Sequence, residues 1–171
     1  MQKIAKFYKV SLEQFTNDFM DSFNQYSLEE TKSIYETIQL PKRATIGSAG
    51  YDFYTPIAFT LKPNETIKIP TGIRCSINNG WVLSVYPRSG LGFKFRLQLN
   101  NTVGIIDSDY FNSSNEGHIF IKITNDSNEN KTVDLQAGEG FAQGIFMAFG
   151  IVEDDDTNEI RDGGFGSTTK K

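Results

Sequence analysis

The sequence has almost none of the residues that build disulfides, zinc centres and imidazole-based catalytic sites. Cys75 is the only cysteine and His118 the only histidine among 171 residues. An internal disulfide and a Cys/His zinc cluster are therefore excluded, and one imidazole at most is available for a Ser-His-Asp triad. Any metal chemistry must use a hard cation with oxygen ligands. The alternating run 72–77 favours a buried Cys75 over a reactive thiol.

Long apolar runs and an excess of positive charge are also lacking. No secretory hydrophobic region is present near Met1, and no run approaches the roughly 18 apolar residues of a membrane span. We therefore expect a cytoplasmic protein that binds no membrane. The net charge of −4 and the acidic run 153–156 argue against nucleic-acid binding. We interpret the acidic run as a solvated turn rather than a metal site.

The chain has the length of one domain, residues 1–171, with two helices near its start. Capping-box patterns begin at Ser11 and at Ser27, and Pro41 ends the second helical pattern. These signals predict helices over 11–24 and 28–38, which together form a helical hairpin, residues 11–38. Phenylalanines at helical spacing favour a hairpin that packs on its own domain over one that recruits a partner.

From Tyr51 onward, short alternating runs are separated by turn signals, which predicts a mainly β fold, a β-sandwich or barrel. The predicted strands are 51–61, 66–70, 73–77, 81–86, 93–99, 102–106, 118–124, 131–135 and 141–152.

Two connections between these strands hold candidate binding groups. Asp52 follows two glycines closely in the first. In the second, Arg88 supplies a planar guanidinium, and Ser89 with the Gly90 N–H can donate to a phosphate oxygen. An ordinary turn with a surface arginine explains the second segment equally well.

Two later segments add a glycine, carboxylates and an amide. Gly104 interrupts an apolar strand, which often marks the close approach of a ligand or another backbone. Asp107 and Asp109 follow it, so one is a candidate general base near a phosphate, or both simply end a strand. Gln143 is either a satisfied polar group or a ligand contact.

The last residues combine glycines, hydroxyls, cations and Phe165. Such a composition suits a lid that closes over a nucleotide, although many glycine-rich termini are simply disordered. We therefore expect residues 160–171 to form a flexible C-terminal arm.

Taken in order, five segments resemble the five motifs of the trimeric dUTPase family. They are 49–52, 87–91, 101–110, 138–143 and 163–168. The resemblance runs from about Leu40 to Thr168. The run 4–10 also resembles the family's first strand, so the helical hairpin looks like an insertion after it.

The resemblance implies a jelly-roll-like β domain that forms a homotrimer, with each active site built from three chains. It implies hydrolysis of dUTP to dUMP and pyrophosphate, which limits uracil in DNA and supplies dUMP for thymidylate synthesis. Asp107 would orient and deprotonate the water that attacks the α-phosphorus. The triphosphate would hold Mg²⁺, with Asp52 acting on the ion through water.

The resemblance also implies a set of substrate-binding residues. The phosphates would be bound by Arg88, Ser89, Gly90 and Gln143. The uracil would pair with the hairpin around Asn101 and Gly104, and Tyr110 would pack on the deoxyribose. In the C-terminal arm, Phe165 would cover the base, and Gly166, Ser167 and Arg161 would complete the arm.

Three features depart from the family pattern. Residues 111–116 look inserted after the third motif, and Gly140 stands where an arginine is common. Arg161 lies four residues before Phe165 instead of five, so its contact with the γ-phosphate stays open, and Lys170 or Lys171 could compensate.

Two alternatives remain at this stage. One is a dCTP deaminase-like enzyme, which would need a further carboxylate near the base, and Glu116 is the only candidate. The other is a nucleotide-gated interaction protein whose helical hairpin docks a partner.

Overall fold

The computed structural model describes residues 2–159, and the arm residues Arg161, Phe165, Gly166 and Ser167 lie outside this range. Its strands are β1 Ala5–Lys9, β2 Lys42–Arg43, β3 Tyr51–Tyr54, β4 Phe59–Leu61, β5 Thr66–Pro70, β6 Ile73–Ile77, β7 Trp81–Pro87, β8 Leu97–Leu99, β9 Gly104–Ile106, β10 Phe120–Asn125, β11 Val133–Leu135 and β12 Gly140–Ala148. Its helices are α1 Leu12–Ser22, α2 Leu28–Thr37, α3 Ser89–Phe95 and the 3-10 helix Ser108–Asn112.

Antiparallel sheets stack around one core, as expected for a mainly β, jelly-roll-like domain. The largest sheet has the order β2-β3-β12-β7-β9, and a second has the order β5-β10-β8. The smaller pairs are β1-β6 and β4-β11. Strand β12 lies between β3 and β7, so three segments that are distant in sequence meet along it.

The two predicted helices form where the capping signals place them. Ser11 Oγ accepts a hydrogen bond from the Gln14 N–H at 3.1 Å, and Ser27 makes a complete capping box with Glu30. Phe15 and Phe19 on α1 are fully buried in the same core as the strands. The helical hairpin therefore packs on its own domain.

The strand predicted over 93–99 is wrong in its first half. Residues Ser89–Phe95 form α3, and only Leu97–Leu99 is a strand. Leu91 and Phe95 pack against the core from one face of α3, whereas Phe93 is 95% exposed. The four-residue spacing of Leu91 and Phe95 thus prevailed over the alternation that suggested a strand.

The strand predicted over 51–61 is interrupted between β3 and β4. Thr55 bonds through its N–H to the Glu139 carbonyl and through its hydroxyl to the Ile57 carbonyl. The chain changes sheets there, since β3 pairs with β12 and β4 pairs with β11.

The predicted strand 141–152 is also shorter than expected, because β12 ends at Ala148. Among residues 2–159, none of the helices combines the length and apolar character that a bilayer crossing requires.

Candidate active site

Three predicted site residues meet where β3, β12 and β7 run side by side. Gln143 on β12 pairs with Asp52 on one side and with Tyr86 on the other. Arg88 follows the end of β7 and reaches back toward β3. We call Asp52, Arg88 and Gln143 the arginine cluster.

Hydrogen bonds and an ion pair hold the arginine cluster together. Arg88 Nε lies 3.2 Å from Asp52 Oδ1, and Arg88 Nη1 donates to the Gly140 carbonyl at 3.1 Å. Gln143 Nε2 donates to the Pro87 carbonyl at 3.0 Å. The Asp52 side chain is only 17% exposed, but the Arg88 side chain is 42% exposed. Arg88 is therefore oriented by its neighbours and still accessible to an anion.

Two glycines leave the space that this cluster occupies. A Cβ on Gly50 would lie 2.7 Å from Gln143 Oε1, and a Cβ on Gly140 would lie 2.7 Å from Arg88 Nη1. The departure from the family pattern at Gly140 thus has a local explanation, because the Arg88 guanidinium lies against that position.

A second group of predicted site residues lines a cavity of about 850 Å³ beside β9, here called the β9 cavity. Its walls include Asn101, Gly104, Asp107 and Tyr110. This volume is within the range of small-molecule sites. Residues outside the predictions also contribute, among them Asp18, Asp21, Lys68 and Asn115.

The two carboxylates after β9 have different positions. The strand ends at Ile106, and Asp107 is the N-cap of the 3-10 helix that contains Asp109. Asp107 is half-buried and lines the β9 cavity, whereas Asp109 is exposed. Both carboxylates therefore lie beyond the end of the strand, and Asp107 is the one beside the cavity.

Gly104 lies in close contact with the neighbouring strand of its own sheet. It pairs with Val85 on β7, and a Cβ there would lie 3.2 Å from Val85 Cβ. The close neighbour is therefore a side chain of the same sheet. Tyr110 is 5% exposed, and its hydroxyl donates to the His118 carbonyl at 2.7 Å.

The arginine cluster and Asp107 lie at opposite ends of β7. Ile106 pairs with Leu83, so Asp107 is level with Val82, six positions before Arg88. At about 3.3 Å per residue, the two side chains start roughly 20 Å apart. One chain therefore does not bring them to a single phosphate group.

A magnesium ion fits this chemistry only if the substrate supplies most of its ligands. Within residues 2–159 there is no group of three or more His, Cys, Asp or Glu side chains arranged to hold a metal. The acidic run 153–156 is exposed. Mg²⁺ commonly uses one or two carboxylates with waters and substrate phosphates, and Asp52 is suitably placed beside Arg88.

The segment 111–116 attaches helix α1 to the domain. Glu116 accepts hydrogen bonds from Ser11 N at 2.8 Å and Ser11 Oγ at 2.6 Å, and it lies 3.8 Å from Arg74 Nη1. Burial opposes ionisation of Glu116 most strongly, but the hydrogen bonds from Ser11 and the charge of Arg74 lower its pKa overall. Its carboxylate is thus engaged in structure, which weakens the deaminase alternative.

Sequence reasoning missed the cavity residues of α1 and the partner of the single histidine. His118 Nδ1 lies 2.5 Å from Asp18 Oδ2, across a sequence separation of 100 residues. No local pattern signals such a pair.

Comparisons with known proteins agree with the motifs. The family model for dUTPase matches residues 36–169. The matched range begins in the last turn of α2. The deoxyuridine 5'-triphosphate nucleotidohydrolase of Lactococcus lactis subsp. lactis is 44% identical over 135 residues, covering 77% of this chain and 88% of that protein.

Solved structures agree as well. The crystal structure of dUTPase from Streptococcus mutans shares 40% identity at a TM-score of 0.58, covering 67% of this chain and 88% of that chain. A dUTPase from phage phi11 of Staphylococcus aureus, described with a structural Mg(II) ion, covers 92% of this chain and 98% of its own at a TM-score of 0.61. Its 19% identity supports the fold alone. The chain belongs to the dUTPase family.

Proposed function

We propose that this protein hydrolyses dUTP to dUMP and pyrophosphate. The observation that carries the proposal is the position of Asp107, a carboxylate at the wall of a nucleotide-sized cavity in a chain of the dUTPase family. The reaction limits uracil in DNA and supplies dUMP for thymidylate synthesis.

Asp107 acts as the general base. It accepts a proton from a water molecule while the water oxygen bonds to the α-phosphorus. The bond from the α-phosphorus to the bridging oxygen breaks, and its electron pair leaves with pyrophosphate. Half-burial beside the cavity limits competing solvent around Asp107.

The arginine cluster binds the triphosphate. Arg88 gives charge-assisted hydrogen bonds, and its contacts with Asp52 and Gly140 orient the guanidinium beforehand. Ser89 and Gly90 open α3, where backbone N–H groups have no acceptor within the helix. Gln143, held against Pro87, completes this side.

Mg²⁺ would be held by the triphosphate oxygens, with Asp52 bonded to its waters. When bound, the ion supplies charge neutralisation on those oxygens. Removal of Mg²⁺ with EDTA should therefore abolish turnover, and added Mg²⁺ should restore it.

The β9 cavity binds the nucleoside. The backbone around Asn101 and Gly104 pairs with the edge of uracil, and Tyr110 packs on the deoxyribose. The arm residues Arg161, Phe165, Gly166 and Ser167 lie outside the described residues. We assign them to closure over the base and phosphates.

We further propose a homotrimer in which different chains supply Asp107 and the arginine cluster to one site. Support comes from the separation of roughly 20 Å along β7, given a rise of about 3.3 Å per residue.

Pyrophosphate release from dUTP, dCTP, dTTP and UTP tests the reaction, with ammonia measured for dCTP. Only dUTP should be turned over rapidly. In H₂¹⁸O the label should enter dUMP, because water attacks the α-phosphorus. Label in pyrophosphate, or ammonia from dCTP, would contradict the proposal.

Asp107→Asn should keep dUTP binding and lose about 10²- to 10⁴-fold in kcat. Asp109→Asn is the matched control, since Asp109 is exposed and does not line the β9 cavity. Equal losses in the two variants would refute the assignment of the base.

Mixing inactive Arg88→Ala chains with inactive Asp107→Asn chains tests shared sites. If each site takes the two residues from different chains of a cyclic trimer, random mixing restores about a quarter of the sites. If both come from one chain, the mixture stays inactive.

A further inference from the structure

A buried imidazole connects α1 to the β domain. The His118 side chain is fully buried, and its Nε2 accepts a hydrogen bond from the Gly72 N–H at 2.8 Å. In a neutral imidazole one nitrogen accepts and the other donates, so Nδ1 donates to Asp18 Oδ2 at 2.5 Å. Gln14 Nε2 donates to the same Asp18 oxygen at 2.8 Å. Asp18 is thereby held in place and fixes the orientation of His118.

The same histidine holds Tyr110 through its backbone. Tyr110 Oη donates to the His118 carbonyl at 2.7 Å and accepts from Asn115 Nδ2 at 2.8 Å. The Tyr110 N–H in turn bonds to the Asp107 carbonyl at 3.3 Å. A shift of His118 would therefore move the tyrosine beside the proposed base. Asp18, Asn115 and Tyr110 all line the β9 cavity.

The attachment of α1 does not by itself require this polar pair. Phe15 and Phe19 of α1 are already fully buried in the core of the domain. Burying an imidazole against a carboxylate costs desolvation that apolar packing would avoid. The pair instead gives a directional connection from α1 to one wall of the cavity.

We infer that Asp18 is a positioning residue for sugar selection. Asp18 orients His118, His118 anchors the Tyr110 hydroxyl, and Tyr110 sets the space beside the sugar of the bound nucleotide. Helix α1 is therefore a functional wall of the nucleotide cavity. The inference rests on the role of Tyr110 in the proposed function.

The measurement is the ratio of kcat/KM for dUTP to that for UTP. Asp18→Ala should lower this ratio about tenfold, which corresponds to about 1.4 kcal/mol. Asp18→Asn should retain most of the selectivity, because its amide oxygen still accepts from His118 Nδ1. Glu13→Gln is the control, because Glu13 is exposed on the same helix and its substitution removes one negative charge, as Asp18→Ala does.

A double-mutant cycle separates positioning from general loosening. Tyr110→Phe removes both hydroxyl bonds and should also lower the ratio. If Asp18 acts through Tyr110, Asp18→Ala combined with Tyr110→Phe should be little worse than the more damaging single variant. If the double variant instead shows the product of the two single losses in selectivity, the inference is wrong. If Asp18→Ala yields no folded protein, Asp18→Ser, whose hydroxyl is too short to reach Nδ1, replaces it in the cycle.

Thermal midpoints and size-exclusion profiles accompany every variant. A lower midpoint for Asp18→Ala with unchanged selectivity would show a structural role only and overturn the inference. Tyr110→Ala tests the underlying proposal separately. If Tyr110→Ala leaves the ratio unchanged, the assigned role of Tyr110 fails. If Tyr110→Ala relaxes selectivity and Asp18→Ala does not, the inference alone fails.

Discussion

The glycine at position 140 provides a sharp test of the arginine cluster. In Gly140→Ala the new methyl would lie 2.7 Å from Arg88 Nη1 and 3.2 Å from Arg88 Cδ and Cζ. Ordinary contacts begin near 3.4 Å, so the guanidinium must move by about 0.7 Å or more. The movement would strain the hydrogen bond to the Gly140 carbonyl and the ion pair with Asp52.

The expected effect on catalysis is larger than the effect on stability. Arg88 is 42% exposed, and exposed ion pairs contribute only about 0–1 kcal/mol to folding. A phosphate-binding group displaced by about 1 Å can, however, cost up to about 10²-fold in rate. We therefore expect kcat/KM for dUTP to fall about 10- to 100-fold, with a thermal midpoint within a few degrees of the unsubstituted protein.

Gly47→Ala is the matched control, because a Cβ at Gly47 meets nothing within 4 Å. Its kcat/KM should not change. The test is steady-state kinetics with dUTP and a thermal melt of the unsubstituted protein, Gly140→Ala and Gly47→Ala. Full activity in Gly140→Ala would show that Arg88 either moves aside without consequence or does not bind phosphate.

Three further predictions concern stability and reactivity. The lowered pKa of Glu116 means that its bonds stabilise the fold above about pH 4.3 and are lost as the pH falls through the folded-state pKa. Glu116→Gln should therefore unfold more easily than the unsubstituted protein in urea at pH 7, and the difference should shrink as the pH falls through the lowered pKa of the folded state. A difference that stays constant as the solution is acidified would contradict this. Phe19→Ala should lower the free energy of unfolding by about 3–5 kcal/mol, because the Phe19 side chain is fully buried. Urea titration measures this loss, and a loss below about 1 kcal/mol would mean that α1 is not anchored as described. Burial raises the pKa of the Cys75 thiol to about 12, so an aromatic disulfide reagent at pH 8 should react only after denaturation, and rapid reaction of the folded protein would refute this.

Local signals in the sequence predicted individual elements well. The caps at Ser11 and Ser27 require hydrogen bonds to residues three positions away, so nearby residues alone determine them. Strands β5 and β6 match their predicted bounds because alternation reports one buried face. The same rule misled at α3, where alternating aromatic and leucine residues fit a strand as well as a helix.

The sequence named candidate site residues but not the distances between them within one chain. The motif resemblance implied that Asp107 and Arg88 belong to sites built from three chains. The pairing of β7 with β9 then separates them along the sheet. Likewise, the helical hairpin and residues 111–116 looked like two separate insertions in the sequence. In the structure they are joined by the hydrogen bonds between Ser11 and Glu116.

The amino-acid sequence alone determined the chemical groups available, the family of the domain and the starts of α1 and α2. Each of these depends on residue identity or on hydrogen bonds between near neighbours. Only the tertiary structure decided which groups share a cavity and that Asp18 meets His118. Contacts across 100 residues depend on where strands and helices cross, and that is settled by packing of the whole core.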